Sequence, residues 1–355
     1  MPEMTAPPLL SVENLFKYFP VSQSVFLRLL GKQAKVVHAV DNVSFKLGKG
    51  EILALVGESG SGKTTVGMNV LGLQVPTKGK VLFDGTDVAY WSQGRIGELK
   101  NQNGHELARL SRRKQVLRLR KRAQMIFQDP YESLDPRQKI FDIVAEPLDI
   151  HGISLSEMDR KERVRESLES SGLAPADHFW DRYPDGLSGG QRQRVVIAGA
   201  LILEPDLLIA DEPVSMLDVS IRAEFLNLLL EIRNQRNISI IYTTHDLATA
   251  GFFTDRMAVM YLGRIVELGP TREVLSNPRH PYTQALVSVL PAPNPRKQRE
   301  RVILSGEVPN PIDLPPGCRF HPRCPKAERA CREIDPDFIQ ITEQHKVACL
   351  LVQSS

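Results

Sequence analysis

Gly57-Glu58-Ser59-Gly60-Ser61-Gly62-Lys63-Thr64 fits G-x-x-x-x-G-K-S/T at every fixed position, and the chemistry of that spacing is phosphate binding. Glycines let a loop wrap tightly, so that backbone N–H groups point inward at phosphate oxygens. A helix opening there adds the positive end of its dipole. Lys63 would neutralise the β- and γ-phosphates, and Thr64 would place a hydroxyl on Mg²⁺; Thr65 is counted with the same binding residues. Asp211-Glu212 follows the apolar run Leu207-Leu208-Ile209-Ala210. An acidic pair at the end of a buried strand sits where ligands gather in an open α/β sheet. Asp211 would hold Mg²⁺ and Glu212 would polarise the water that attacks the γ-phosphate, although such a pair could also merely cap the next helix. His245, just past the run Ile238 to Thr243, becomes a candidate γ-phosphate contact beside these two elements. The three together describe a phosphate-loop nucleotide hydrolase without saying which.

Leu187-Ser188-Gly189-Gly190-Gln191 is a second anion-binding turn, a serine hydroxyl and glycine N–H groups opening a helix. One nucleotide needs only one phosphate loop. A second such turn makes sense if it serves a nucleotide held by another copy of the fold; the plain alternative is a serine cap followed by glycines.

Positioning these groups requires strands that end at the loops and helices that start from them. Val36 to Phe45, Ile52 to Val56 and Lys80 to Phe83 carry the composition of strands. Lys49-Gly50 and Asp84-Gly85 read as turns, and a helix is expected from the glycine loop through Val70. Residues 155–173 and 220–235 repeat Leu and Ile at helical spacing. Asp206 to Ala210 and Ile238 to Thr243 are short continuous apolar runs, as in buried strands of a parallel sheet. Strands alternating with helices point to an α/β sheet with crossover connections. Past residue 290 the texture changes: Pro291, Pro293 and Pro295 sit in a basic linker, and a separate C-terminal module is expected beyond it.

The 355 residues suggest about two domains, and 42% hydrophobic with 25% charged residues excludes disordered and fibrous chains. A net charge of +3 gives no support to nucleic-acid binding. Residues 109–122 hold eight basic residues and no acidic one, read as a solvated helix face or as a patch for anionic lipid or a partner. No secretory signal is visible near Met1 to Leu10. The longest apolar stretch, Val195 to Ala210, is broken by Glu204, Pro205 and Asp206 and is too short to span a bilayer. Four cysteines, all beyond residue 317, fit a reducing compartment.

Over roughly residues 10–290 the chain resembles the ATP-binding cassette (ABC) family. The matching elements, in order, are 57–64, Gln128 within Phe127-Gln128-Asp129-Pro130, Leu187 to Gln191, Asp211-Glu212, Ser215-Met216-Leu217-Asp218 and His245. The resemblance implies the phosphate-loop α/β fold of that family: a RecA-like core, an antiparallel β subdomain and a helical subdomain at about 130–190. It also implies a head-to-tail dimer with two ATPs, each held between one phosphate loop and the opposite Ser188-Gly189-Gly190-Gln191. In such proteins Gln128 would sense Mg²⁺ and the attacking water, Glu212 would be the general base, His245 the γ-phosphate switch and Asp218 a cross-dimer contact. Phe19, or Tyr18 beside it, resembles the aromatic that stacks on adenine, although Pro20 to Lys35 lengthens the loop after it. Met216 stands where the family has a small residue.

His280-Pro281-Tyr282-Thr283-Gln284-Ala285-Leu286, the long loop at 20–38 and the cysteine-rich end resemble the oligopeptide/dipeptide branch of ABC importers, which extends the match to nearly the whole chain. That branch implies peptide import, two membrane-spanning permease subunits, an extracytoplasmic binding protein, and a second ATPase subunit that is often a different chain. It implies a peripheral place on the cytoplasmic face of the inner membrane. Nickel, opine and glutathione importers are neighbouring readings, and a soluble non-transport cassette ATPase is the rival class.

Cys318, Cys324, Cys331 and Cys349 are spaced C-x5-C-x6-C-x17-C. Four soft thiolates in a short proline-rich stretch suit a metal. The close C-x2–4-C knuckle of tetrahedral zinc is absent. Wider loops are compatible with a four-iron, four-sulfur (4Fe–4S) cluster, the reading the importer branch also implies, while free or disulfide-bonded thiols are the plain alternative. His321 and His345 are possible substitute ligands.

Overall fold

Residues 7–21, 35–89, 112–129, 133–290 and 301–353 are described in this computed structural model. Most of the long loop after Phe19, Arg109 of the basic segment, Pro130 and the prolines of the 291–300 linker lie outside the described residues. Two compact units divide the chain. One draws on Pro8–Leu47, Ile52–Ala89 and Thr243–Ser355, the other on Gly48–Glu51 and Tyr90–Tyr242.

In the first unit, β1 (Leu10–Pro20) pairs antiparallel with β2 (Val36–Leu47) and with β4 (Lys78–Phe83), and β5 (Thr86–Asp87) lies at the far edge of this sheet. The Asp84-Gly85 turn between β4 and β5 has positive φ at both residues, as a tight hairpin demands. Strand β3 (Ile52–Val56) is buried at all five positions, which explains its unbroken apolar run. It pairs in parallel with β9 (Arg256–Tyr261), which turns through Leu262-Gly263 into the antiparallel β10 (Arg264–Pro270). Two short strands of the C-terminal segment, β12 (Lys346–Val347) and β11 (Ile339–Gln340), add to β10 in turn.

That pairing corrects the expectation of a separate cysteine-rich module. Phe320 packs in one core with Ala54, Val56, Tyr261 and Tyr282, and Val347 is fully buried. Rich in proline and charge, the segment leaves Ile303, Ile334 and Phe338 exposed, and it packs Phe320, Leu304 and Leu314 into the core of β9, β10 and the helix Pro281–Ser288 rather than into one of its own.

In the second unit, β6 (Ala123–Ile126) pairs in parallel with β7 (Leu207–Asp211), and β8 (Ser239–Thr244), whose last two residues are counted with the first unit, is the next strand beyond β7. Strands β7 and β8 are buried throughout, matching their continuous apolar sequence. Helices Ile140–Ile150, Glu157–Ser170 and Gly189–Leu201 surround a core that includes Val144, Leu168, Val195 and Ala198. Ser156 caps the second of them by accepting from the Asp159 N–H, and Asn237 ends helix Val219–Arg236 in the left-handed conformation. The basic segment forms helix Arg112–Arg122; Gln115 and Leu119 are buried along it, and Arg122 pairs with Asp206.

Candidate functional site

The phosphate loop leaves β3 at Gly57 and enters helix Lys63–Val70. Two glycines are dictated by geometry. A Cβ at Gly57 would stand 2.2 Å from the Met260 carbonyl oxygen, and Gly62 has φ +102 with the Ala39 carbonyl 2.3 Å from where its Cβ would be. The backbone is braced at both ends: Gly57 N–H donates to the Thr244 carbonyl, and the Ser61 carbonyl accepts from Gly263 N–H. Lys63 is almost fully buried, and its ammonium donates to the carbonyls of Gly57 (2.8 Å) and Glu58 (3.1 Å) and lies 3.5 Å from the Ser61 hydroxyl. Ser59 and Gly60 form the outer turn, and Thr64 and Thr65 lie in the first turn of the helix, whose N–H groups fall outside a helix's own hydrogen-bond ladder.

Within the same unit, exposed His245 follows Thr244, whose carbonyl receives Gly57 N–H, so this histidine stands directly beyond a residue bonded to the start of the loop. Asp246 caps the next helix, Leu247–Phe253, by accepting from Ala248 and Thr249 N–H. On β1, Tyr18 packs against His38 with ring centroids 4.4 Å apart, while Phe19 is half-buried with the Lys17 ammonium 5.0 Å from its centroid.

The second unit holds the acidic pair. Asp211 closes β7 and is buried; Glu212 follows in the left-handed region with φ +46, a conformation that non-glycine residues adopt at a cost and that is concentrated at functional sites. Asp211 lines one cleft with Phe127, Gln128, Asp129, Ser133 and Met216. Gln128, Asp211 and Met216, singled out separately along the sequence, are therefore brought together. A carboxylate beside an amide oxygen is a hard-oxygen donor set of the kind Mg²⁺ takes with substrate phosphates.

Ser188 and Gln191 form a reciprocal capping box at the start of helix Gly189–Leu201: the Ser188 hydroxyl accepts from Gln191 N–H at 3.3 Å, and the Gln191 amide oxygen accepts from Ser188 N–H at 3.0 Å. The box aligns the N–H groups of Gly189 and Gly190 at an exposed helix start, and Leu187 anchors the turn in the helical core. A Cβ on Gly190 would press on Ile221 at 3.0 Å. Asp218 is exposed at the N-terminus of Val219–Arg236.

The structure gives the expected metal centre at the C-terminal cysteines no support. All four thiols are free. Among the described residues no group of three or more His, Cys, Asp or Glu could hold a metal ion. Burial pushes the Cys318 thiol up to about 11 and raises Cys324 and Cys349 as well, each opposed by backbone hydrogen bonds. The substitute ligands are otherwise engaged: His321 Nδ1 lies 2.9 Å from the Cys318 carbonyl oxygen, and His345 is held between Glu267 and Glu273.

Sequence reasoning passed over the partners of Glu58. The carboxylate receives both arms of the Arg323 guanidinium, and its N–H donates to the Tyr282 hydroxyl. The available signal was the glutamate itself, a negative charge inside a loop built for phosphate.

Residues 40–215 match the ABC transporter family, and residues 266–331 match the C-terminal region of oligopeptide/dipeptide transporters. The chain is 44% identical to the oligopeptide transport ATP-binding protein AppF of Bacillus subtilis, over 97% of each chain. It is 43% identical to the dipeptide transport ATP-binding protein DppF of Haemophilus influenzae, over 96% of each. Among solved structures it is similar to cbiO1 from Clostridium perfringens, part of the ABC transporter complex cbiONQ (28% identity, 77% of this chain and 92% of that one, TM-score 0.60). It is also similar to the ATP-binding cassette MJ0796 in a dimeric post-hydrolysis state with ADP and Pi (25% identity, 74% and 99%, TM-score 0.59). Among the described residues no helix is long and apolar enough to cross a membrane.

Proposed function

This chain belongs to the ABC transporter family, in its oligopeptide/dipeptide branch, and from that premise we propose how it powers peptide import. It is an ATPase coupled to transport, the subunit whose hydrolysis drives uptake of di- and oligopeptides. The observation that carries this reading is the full-length match to peptide-import subunits, including the distinctive C-terminal region. Permease subunits in the membrane and a peptide-binding protein follow from it. Two permeases, a second and different ATPase chain, and a peripheral position on the cytoplasmic face of the inner membrane complete the proposal.

Lys63 would transfer its hydrogen bonds from the carbonyls of Gly57 and Glu58 to the β- and γ-phosphate oxygens of ATP, with the loop amides around them. Thr64 would offer an oxygen to Mg²⁺, as would Gln128 and Asp211, and the metal would supply charge that neutralises phosphate. Glu212 would orient the attacking water and His245 would sense the γ-phosphate. Phe19 is proposed for the adenine ring. Ser188 to Gln191, at a helix start where Ser188 is exposed, would close on the ATP of the partner ATPase subunit, and closure would switch the permeases between their two facing states. The finer reading of the cysteines as a 4Fe–4S site rests on donor chemistry alone, four soft thiols spaced along one short segment. Iron and sulfide analysis after anaerobic purification decides it, and colourless, iron-free protein ends it.

The test of function is purification of the tagged chain from its own cells, alongside deletion of its gene. Co-purification with two hydrophobic subunits, and loss of labelled-peptide uptake on deletion, are expected. A chain that purifies alone, with uptake intact after its deletion, would refute the assignment.

A further inference from the structure

Glu58, the second residue of the phosphate loop, is held on three sides. Arg323 Nη1 and Nη2 donate to its carboxylate at 2.8 and 3.2 Å, a two-armed ion pair with the guanidinium only 9% exposed. Its N–H donates to the Tyr282 hydroxyl at 3.1 Å, and its carbonyl accepts from Lys63 at 3.1 Å. Both outside partners come from the segment that follows β10. Tyr282 is fixed by aromatic packing, with ring centroids 4.8 Å from Tyr261 and 5.3 Å from Phe320, and the Arg323 guanidinium lies 5.9 Å from the Tyr261 ring.

A carboxylate in this place works against the loop's function, because an unneutralised negative charge beside bound polyphosphate repels it. Arg323 cancels that charge, and its planar fork fixes the direction of the carboxylate. Tyr282 accepts from the Glu58 N–H, which fixes the Gly57–Glu58 peptide plane and with it the Gly57 carbonyl on which Lys63 rests at 2.8 Å. Burial raises the Tyr282 phenol well above its ordinary range, so the hydroxyl stays neutral at working pH. We propose that Arg323 and Tyr282 are positioning residues of the nucleotide site, acting through Glu58 to hold the phosphate loop in the shape that receives ATP. The inference rests on the reading of residues 57–64 as the ATP site.

The experiment measures ATP affinity with a fluorescent ATP analogue, and ATP KM and kcat, on the full chain. Arg323→Ala and Tyr282→Phe are expected to raise the Kd and KM for ATP by about fivefold to tenfold, the size of one lost hydrogen-bonded contact, with kcat at saturating ATP within about twofold of wild type. Arg323→Lys, which restores charge without the fork, should recover part of the affinity. In a Glu58→Gln background, where no carboxylate needs neutralising, Arg323→Ala should cost far less. Folded Arg323→Ala and Tyr282→Phe with wild-type ATP affinity would overturn the proposal, as would full additivity with Glu58→Gln. Should Arg323→Ala fail to fold, Tyr282→Phe decides, since it removes a single oxygen and keeps the ring. Lys63→Ala separates the two levels. If it alone loses affinity, only the positioning role fails; if it too binds ATP normally, the site reading fails.

Discussion

His345 Nε2 lies 2.8 Å from Glu267 Oε1, and both side chains are wholly shielded from solvent. Glu273 approaches the other ring nitrogen at 3.3 Å, and the Glu267 carboxylate also accepts the N–H groups of Arg279 and His280. Burial alone would lower the His345 pKa, but the hydrogen bonds and charges of the two glutamates outweigh it and raise the pKa above its ordinary value. His280, buried beside Phe320, is pushed down to about 4 by burial.

These two histidines give stability a maximum with two differently owned limbs. A raised folded-state pKa contributes stability that is complete below the ordinary histidine value of about 6.5 and is lost as pH climbs through the raised value. A lowered one has the opposite sign: stability falls as pH drops from about 6.5 toward 4, because the unfolded chain takes up a proton that folded His280 refuses. Thermal melts from pH 4 to 9 are expected to show His345→Gln flattening the alkaline limb and His280→Asn, which keeps a capping group, softening the acid limb. Unchanged limbs in both variants would contradict this assignment.

Glu212→Gln should retain ATP binding and nucleotide-dependent dimerisation while losing about 10²- to 10⁴-fold in hydrolysis, the range for removal of a general base. The left-handed φ of +46 points to a residue held in place by its surroundings, and glutamine can keep that backbone. Single-turnover hydrolysis with ATP in excess of its Kd is the measurement. Hydrolysis at the wild-type rate would reassign the base.

Gly62→Ala and Lys63→Ala should both abolish tight ATP binding, but for different reasons that melting separates. An alanine at 62 must accept φ +102, at roughly 1–2 kcal/mol, and a Cβ 2.3 Å from the Ala39 carbonyl, so the loop shifts and the protein loses stability. Lys63→Ala removes the ammonium and leaves two backbone carbonyls without that donor, with the loop path intact. A lower melting temperature is therefore expected for Gly62→Ala, and a clearly smaller change for Lys63→Ala.

What was readable from sequence was local. The loop from Gly57 to Thr64, the strand before it, the serine-glycine turn at 188–191 and the buried strands β7 and β8 each announce themselves within a few residues, through glycine geometry, capping chemistry or an unbroken apolar run. The rest is non-local. Glu58 and Arg323 are 265 residues apart, and nothing near either one names its partner. Helix Ile140–Ile150 contains Pro147, which argues against a helix when read locally and is tolerated in the packed core with Val144 and Leu148. The cysteines drew attention to metal chemistry, while the apolar side chain that ties their segment down, Phe320, carries no motif.

Phe320 therefore supplies the sharpest test of how the C-terminal segment is held. It is 1% exposed and meets Tyr261 edge-on at 5.2 Å and Tyr282 at 5.3 Å. Phe320→Ala removes the ring from a core shared with β3 and β9, at about 3–5 kcal/mol for transfer and cavity together. Were the segment an independent module, that loss would stay in it, and the melting of the remainder would not move. Because Phe320 is part of the common core, a single cooperative transition is expected to shift down as a whole, and ATP affinity to fall with it through the neighbouring Tyr282. Calorimetry with and without ATP distinguishes the cases: two separated transitions, only the smaller displaced, would mean that the segment folds on its own.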